Sequence, residues 1–390
     1  MKIVFQKLIC TVCIISVFCT TLATAEIVSQ VNADVSAQLV SAPSAILMEA
    51  SSGQVLYELN ADDKLPIASV TKSMTMLLIM EALDFGKIKL NDKVATSEYA
   101  ASMGGSQVFL EVGEEMSVED MLKAIAVASG NDAAVAMAEF IAGTEPAFVE
   151  MMNKRAQELG CKNTHFINCN GLNETAEHYS TARDVALISR ELLKHSKILD
   201  YTTIWMDTLR GGEFGLSNTN KLIRFYKGAN GLKTGSTSAA KYCLSATAKR
   251  DGMQLIAVIL AALSSAERFA SATKLLDYGF ANYAVVNAAE KIGELNNLAV
   301  IGGKTDFVKP IADKTVNFIV KKGNQDKVEV SAVFDEPLRA PIAVNQKIGS
   351  ATLTIGGEKV AVCDILACEE VKRMNISTMF WKMFQKWLYI

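Results

Sequence analysis

Apolar and polar residues alternate through SAILMEASSGQVLYEL, residues 44–59, on either side of Ser51-Ser52-Gly53, and that period of two predicts a β-hairpin. A longer apolar-rich stretch opens near Ser69 and runs through MTMLLIMEALDFG to Gly86, which predicts a helix whose methionines fill a core behind Ser69. A second helix is expected from Val118 to about Ile141, its apolar stripe interrupted at Asn131 and Asp132. A third, amphipathic, runs from Thr181 to His195 with Thr181 as its cap. KGANGLKTG, KYCLSATAKR and MQLIAVILAAL then read as strands separated by turns such as Arg250-Asp251-Gly252, and a helix follows from Ala266 to about Tyr278. Strands at both ends of a helical middle predict an α+β domain over residues 43–285, an antiparallel sheet with a helical cluster. Past Asn282 the texture changes to β-branched runs, LAVIGG, TVNFIVKKG, KVEVSAVF, KIGSATLTIGG and EKVAVC, spaced by turn residues and without a helical period. A small all-β domain over 290–370 follows, with no catalytic cluster and the role of a spacer or binding platform.

The two ends differ from this pattern. Lys2 and Lys7 precede an uncharged run from Leu8 to Thr24 that closes on Ala23-Thr24-Ala25. A basic start, an apolar stretch and a small-x-small site describe a secretory signal peptide over residues 1–25; the alternative is an uncleaved anchor helix. With the signal removed, a polar lead of 26–42 begins a chain that works outside the cytoplasmic membrane. Residues 371–390, VKRMNISTMFWKMFQKWLYI, place Met379, Phe380, Met383, Phe384, Trp387 and Leu388 at helical spacing with Lys382, Gln385 and Lys386 between them. This stretch is too short and too interrupted to span a bilayer. It fits an amphipathic helix lying on the outer membrane surface, aromatics in the acyl boundary and lysines toward anionic headgroups; the alternative is a terminal helix docked on the protein's own core. Trp381 and Trp387 favour the interface.

Composition sharpens this picture. The 390 residues suffice for more than one core, and 39 basic against 42 acidic side chains, with pI near 5.8, argue against nucleic acid as a partner. A mean hydropathy of +0.21 hints at a membrane protein, but the apolar excess concentrates at the two ends. Cys161, Cys169, Cys243, Cys363 and Cys368 lie beyond the signal and have no zinc spacing, so they read as small buried fillers; Cys161–Cys169 and Cys363–Cys368 are the pairings open to an exported chain. His165, His178 and His195 form no metal motif, and neither metal nor cofactor is expected. His165 and His178 read as structural hydrogen-bonding residues, and Asp184 as a local partner or cap.

Chemistry enters at Ser69-Val70-Thr71-Lys72, which puts a hydroxyl and an amine on one face a turn apart, so that a neutral lysine can take the serine proton as the hydroxyl attacks a carbonyl. The same spacing recurs at Ser238–Lys241 and Ser271–Lys274, so alone it is a weak signal. Ser69 is distinguished by company: Ser129-Gly130-Asn131 lies 60 positions later and Lys233-Thr234-Gly235 another 104 on.

These three motifs resemble the penicillin-interacting serine acyl-transferases, the penicillin-binding proteins and serine β-lactamases, and most closely the D-alanyl-D-alanine carboxypeptidases among the low-molecular-mass penicillin-binding proteins. ASVTKSMT, GSQVFLEVGE, SGNDAAVAMAEF, NTHFINCNGL, HYSTARDVA and GLKTGSTSAAKYCLSATA carry the likeness across nearly the whole chain beyond residue 25, and an all-β appendage and a basic amphipathic tail belong to the same pattern. The resemblance implies a β-lactamase/transpeptidase-like fold and a peptidase that removes the terminal D-alanine of peptidoglycan pentapeptides, with β-lactams as covalent inhibitors. It also implies roles. Ser69 is the nucleophile and Lys72 its base, the lysine's pKa lowered by partial burial and by the charge of Lys233. Ser129 relays a proton between the lysines, and Asn131 holds the peptide. The N–H groups of Ser69 and Ser236 form the oxyanion hole, while Thr234, beside Gly235, and Arg268 grip a carboxylate. Two departures from class A β-lactamases matter: Gly130 stands in place of an aspartate, and no clear E-x-x-L-N motif supplies a deacylating glutamate between Asn131 and Lys233; Glu174 and Glu177 lie in that interval, but in a setting that suits a loop leading into a helix. Slow turnover of a penicilloyl-enzyme is the expectation. A DD-endopeptidase or β-lactamase on the same scaffold, and a wall-binding protein with vestigial machinery, are the competing readings.

Overall fold

The computed structural model describes residues 39–172, 175–377, 379–381 and 384. The expected signal peptide, most of the polar lead, Glu174 and the tail residues Lys382, Met383 and 385–390 lie outside the described residues. The chain divides into two compact units: residues 1–48, 55–249 and 255–278 in one, and 49–54, 250–254 and 279–390 in the other.

The hairpin forms as β1 (Ser44–Glu49) and β2 (Val55–Leu59), antiparallel with Ala45 opposite Leu59. A 3-10 turn, Ala68–Thr71, leads into α1 (Lys72–Asp84), so the regular helix begins at the lysine and not at Ser69. Ten of its residues are buried, from Lys72 to Met80 and Ala82, because the segment is apolar on nearly every side. The single helix expected over 118–141 is two: α2 (Val118–Lys123) continues as a π-helical turn through Ala128, Ser129 turns left-handed at φ +66°, and α3 (Asn131–Ala142) restarts after Gly130. Apolar residues on both sides of the break hide it from a periodicity reading; the Ser-Gly pair is its only local sign. After α4 (Glu145–Glu158) comes α5 (Ala182–Leu192), capped as expected by the Thr181 hydroxyl, which accepts from the Asp184 N–H at 3.0 Å.

β3 (Ala229–Thr237), β4 (Lys241–Arg250) and β5 (Met253–Ala262) complete a five-stranded sheet in the order β2-β1-β5-β4-β3, and α6 (Ser265–Asn282) follows. Asp251 and Gly252, both at positive φ, make the two-residue turn between β4 and β5. Short hairpins at 93–117 and 206–217, which the apolar pattern does not announce, add two small ribbons.

In the second unit β6 (Tyr283–Asn287) runs into a five-residue helix, α7 (Ala288–Ile292), a helical segment in a region read as wholly β. The strands β7 (Leu298–Ile301), β8 (Phe307–Val308), β9 (Pro310–Ala312), β10 (Asn317–Lys321), β11 (Glu329–Phe334), β12 (Leu338–Arg339), β13 (Lys347–Ile355) and β14 (Glu358–Ala367) form three sheets: β6-β10, β8-β7-β12 and β9-β14-β13-β11. Leu298, Val308, Ile348, Ile365 and Val371 share one core, and Val286, Phe318, Leu353 and Cys363 another. Val371 and Arg373 bridge to Ile342 and Gly303, so the tail helix does not start at 371 as expected; helical residues begin at Ile376. Val371 is apolar and β-branched and is better buried in the β unit than on a terminal helix. Ile376, Met379, Phe380, Trp381 and Phe384 are exposed. Among the described residues no helix is long and apolar enough to cross a membrane. All five described cysteines are free, so neither pairing left open forms, and four of the five are buried as fillers, Cys368 being exposed.

Candidate active site

The 3-10 turn before α1 leaves Ser69 half-buried while Lys72, one turn on, is wholly enclosed. Lys72 Nζ donates to Ser69 Oγ at 2.9 Å, to Asn131 Oδ1 at 2.5 Å and to the Asn170 carbonyl at 2.7 Å. Three acceptors use all the ammonium donors and fix the side chain in one rotamer. Burial pulls Lys72 down to about 7 from the ordinary lysine range, the Cys169 thiol and Asp132 carboxylate opposing it. Burial, one of the two expected causes, thus dominates at Lys72 and is complete, whereas Lys233 is held well below its usual value by burial, with Lys72 and Arg268 adding to it.

The left-handed turn at Ser129 brings Asn131 beside Lys72. The Ser129 and Gly130 N–H groups both reach back to the Ala124 carbonyl, closing the π-turn. A Cβ on Gly130 would stand 3.0 Å from Asp132 Oδ1, a tight contact with a side chain. Asp132 is buried and accepts from Val108 N–H at 3.0 Å and Leu110 N–H at 3.1 Å, pinning the 105–114 loop against α3. Asn131 spends both ends of its carboxamide within the protein, Oδ1 on Lys72 and Nδ2 on the Gly104 carbonyl at 2.7 Å. In this state it orients the lysine. The Ser129 hydroxyl is buried near this cluster and has no hydrogen bond to either lysine among the described residues.

Strand β3 supplies the opposite wall. A Cβ on Gly235 would lie 2.7 Å from the Ile67 carbonyl oxygen and 2.9 Å from the Ser69 and Val70 nitrogens, so only glycine lets the strand approach the turn that carries Ser69. Lys233 is buried and donates to the Thr234 carbonyl at 3.1 Å; Thr234 Oγ1 donates to Thr219 Oγ1 at 2.7 Å; Ser236 is exposed just beyond. Arg268, expected at a substrate carboxylate, is largely enclosed: its Nη1 donates to the Gly235 and Cys243 carbonyls, both at 3.1 Å, its Nη2 donates to Ser265 Oγ, and Nε is buried without a partner. Burial lowers it to about 10, still charged at neutral pH. Among the described residues its hydrogen-bond partners include no carboxylate, so its charge adds to a positive field behind β3.

Several supporting residues carry no motif and went unread. Glu145, buried at the start of α4, accepts from the Cys169 N–H at 2.9 Å and from the Tyr99 hydroxyl at 2.7 Å, and Thr75 Oγ1 donates to the Cys169 carbonyl. These contacts hold the 168–172 loop so that the Asn170 carbonyl meets Lys72. Gly171, at φ +76°, could not carry a side chain: its Cβ would fall 2.0 Å from the Ala68 carbonyl oxygen. His178 accepts the Ile167 N–H on Nδ1, so its Nε2–H donates to Thr71 Oγ1 at 2.7 Å. Burial, with His165 nearby, lowers it to about 4 and keeps it neutral, a structural role as read. Asp184 accepts from the Asn163 N–H and Thr164 hydroxyl, local pairing as read. Among the described residues no cluster of His, Cys, Asp and Glu could hold a metal ion.

A family model described as D-alanyl-D-alanine carboxypeptidase matches residues 31–264, and one described as penicillin-binding protein 5, C-terminal domain, matches 282–373. The chain is 47% identical over 350 residues to D-alanyl-D-alanine carboxypeptidase DacF of Bacillus subtilis (strain 168), covering 89% of this chain and 90% of that protein. Penicillin-binding protein 5 from Haemophilus influenzae superposes with a TM-score of 0.74 at 33% identity, covering 86% of this chain and 98% of the other. Penicillin-binding protein D2 from Listeria monocytogenes, solved in the ampicillin-bound form, superposes with a TM-score of 0.57 at 33% identity over 62% of this chain and 98% of its own. Matched over most of its length, the chain belongs to the D-alanyl-D-alanine carboxypeptidase family.

Proposed function

We propose that Ser69 is the nucleophile that this D-alanyl-D-alanine carboxypeptidase uses to remove the terminal D-alanine from peptidoglycan stem pentapeptides. The observation that carries the assignment is the half-buried Ser69 hydroxyl 2.9 Å from a fully enclosed lysine whose pKa lies near 7. Ser69 Oγ attacks the carbonyl of the penultimate D-alanine while neutral Lys72 takes its proton, and the N–H groups of Ser69 and Ser236 receive the oxyanion. The C–N bond breaks and the departing D-alanine amine takes a proton passed through Ser129 and Lys233. Water then hydrolyses the ester and frees Ser69. Thr234 and the charge of Arg268 bind the leaving residue's carboxylate, and Asn131, once the substrate enters, exchanges part of its present bonding for the peptide backbone.

β-Lactams enter as mimics of the same acyl donor, and the ampicillin-bound form of the Listeria protein supports this reading. Among the described residues no carboxylate hydrogen-bonds Ser69 or Lys72, which favours a long-lived penicilloyl-enzyme over a β-lactamase. A cell-wall substrate requires export, so residues 1–25 act as the signal peptide, and the exposed Ile376, Met379, Phe380 and Trp381 support a tail that lies on the outer face of the cytoplasmic membrane.

The test pairs two substrates. D-Alanine is expected from a stem pentapeptide, lost in Ser69→Ala, with no cleavage of a cross-linked dimer at comparable enzyme concentration. Faster cleavage of the cross-link than of the pentapeptide would make the protein an endopeptidase instead.

A further inference from the structure

The Ser238–Lys241 repeat of the serine-lysine spacing plays no part in the site above, and the fold gives it other work. Ser238 and Lys241 line a cleft of about 370 Å³ together with Ser236, Thr237, Tyr242 and Leu263. Three aliphatic hydroxyls, a phenol and an ammonium line it, and at its edge the Glu267 carboxylate accepts from the Leu263 N–H at 3.2 Å. The cleft begins at Ser236, next after the glycine that abuts the Ser69 backbone. Strand register sets Ser236 opposite Tyr242 and Thr237 opposite Lys241, so Lys241 closes the β3–β4 turn at the cleft's edge. The turn is held by the Ala240 N–H donating to Thr237 Oγ1 at 3.0 Å.

Lys241 is an unusual residue for that place. Its φ of +54° lies in the left-handed region that favours glycine. Its side chain is exposed and forms no ion pair among the described residues, leaving its charge free for a ligand. Behind the wall the Arg268 guanidinium sits 5.5 Å from the Tyr242 ring, a second cation whose hydrogen-bond partners among the described residues include no carboxylate. The methyl group of a D-alanine fills only a small part of such a volume.

We propose that this cleft is a leaving-side subsite that receives the side chain of the C-terminal D-residue, that it accepts residues larger than alanine, and that Lys241 makes it favour anionic ones. The proposal rests on the carboxypeptidase reading above, in which the leaving residue's carboxylate is held at Thr234 and its side chain projects past Ser236.

The test measures kcat/KM of the full chain on N-acyl-L-Lys-D-Ala-D-Xaa with D-Ala, D-Glu or D-Lys as the last residue. D-Glu is expected to be preferred over D-Lys by about fivefold at low ionic strength, the size of an exposed charge pair, with the preference shrinking as salt is added. Lys241→Gly should level the ratio and Lys241→Glu should reverse it. The ratio is taken within each variant, so changes in folding or overall activity cancel. A wild-type ratio near one, or a ratio unchanged in Lys241→Glu, would overturn the subsite. Release of no residue from any of the three substrates, D-Ala included, would overturn the carboxypeptidase reading and the subsite with it.

Discussion

Replacing Lys72 by alanine lowers the rate of Ser69 acylation by ~10³-fold or more, since it removes the base that, among the described residues, hydrogen-bonds the hydroxyl. Ser69 Oγ has the Lys72 amine at 2.9 Å, and the remaining acceptors of that amine, Asn131 Oδ1 and the Asn170 carbonyl, cannot take a proton at neutral pH. The lysine acts only when neutral, so the sign of the pH dependence follows from its pKa. Below about pH 7 Lys72 is protonated, and wild-type acylation falls tenfold for each unit; above about 7 the rate levels off. An ordinary lysine would place that plateau near 10. Lys233, which burial, Lys72 and Arg268 also hold well below its usual value, titrates together with Lys72, so the limb reports the lysine pair. His178 is neutral above about 4, Tyr99 is pushed up to about 12 by its hydrogen bond to Glu145, and burial holds the Cys169 thiol protonated. Stopped-flow acylation by a chromogenic β-lactam from pH 5 to 9 measures the profile in the intact protein, so the assignment does not depend on whether the alanine variant folds. An apparent pKa near 10 would contradict it.

The second large effect is steric. Gly235→Ala is expected to destabilise the protein by ~2 kcal/mol and to slow acylation by ~100-fold, because the new Cβ would fall 2.7 to 2.9 Å from three backbone atoms of the nucleophile's turn. Backbone on both sides cannot rotate away as a side chain can, so β3 and the Ala68–Thr71 turn must separate, and with them the two N–H groups of the oxyanion hole. Chemical denaturation and acylation rate together distinguish this from a purely structural change. A variant with unaltered acylation would mean that β3 does not set the geometry around Ser69.

Both predictions depend on parts of the site that differ in how far they could be read from the sequence. Ser69, Lys72, Ser129, Asn131, Lys233 and Thr234 were readable because each motif is short and its internal spacing encodes a local geometry, a helical turn or a strand. What locks them together was not. Asn170 meets Lys72 through a main-chain carbonyl 98 positions away, a group every residue possesses, so no residue type marks it. Glu145 and Asp132 act on backbone N–H groups of loops, and in the sequence they look like any helix-start acids. Burial of Lys72 was anticipated only as partial, together with the charge of Lys233; its completeness is a property of the assembled core, which encloses the amine and lowers its pKa.

The fold shows the same division. Strong periodicity located β1 to β5 and α1, α5 and α6 closely. It overran the break at Ser129 because apolar residues continue on both sides, and it began the tail helix at Val371 because an apolar side chain suits a β core as well as an amphipathic helix. The missed hairpins at 93–117 and 206–217 are short and mostly exposed, and too few of their residues face a core to leave a period of two.

The central claim, a nucleophile at Ser69 activated by an enclosed lysine, is tested most directly by mapping the adduct that a fluorescent penicillin forms with the protein. One penicilloyl group per chain on the peptide that contains Ser69, absent in Ser69→Ala, is the expected result. An adduct on Ser129, Ser236 or Ser238, or labelling undiminished in Ser69→Ala, would contradict it.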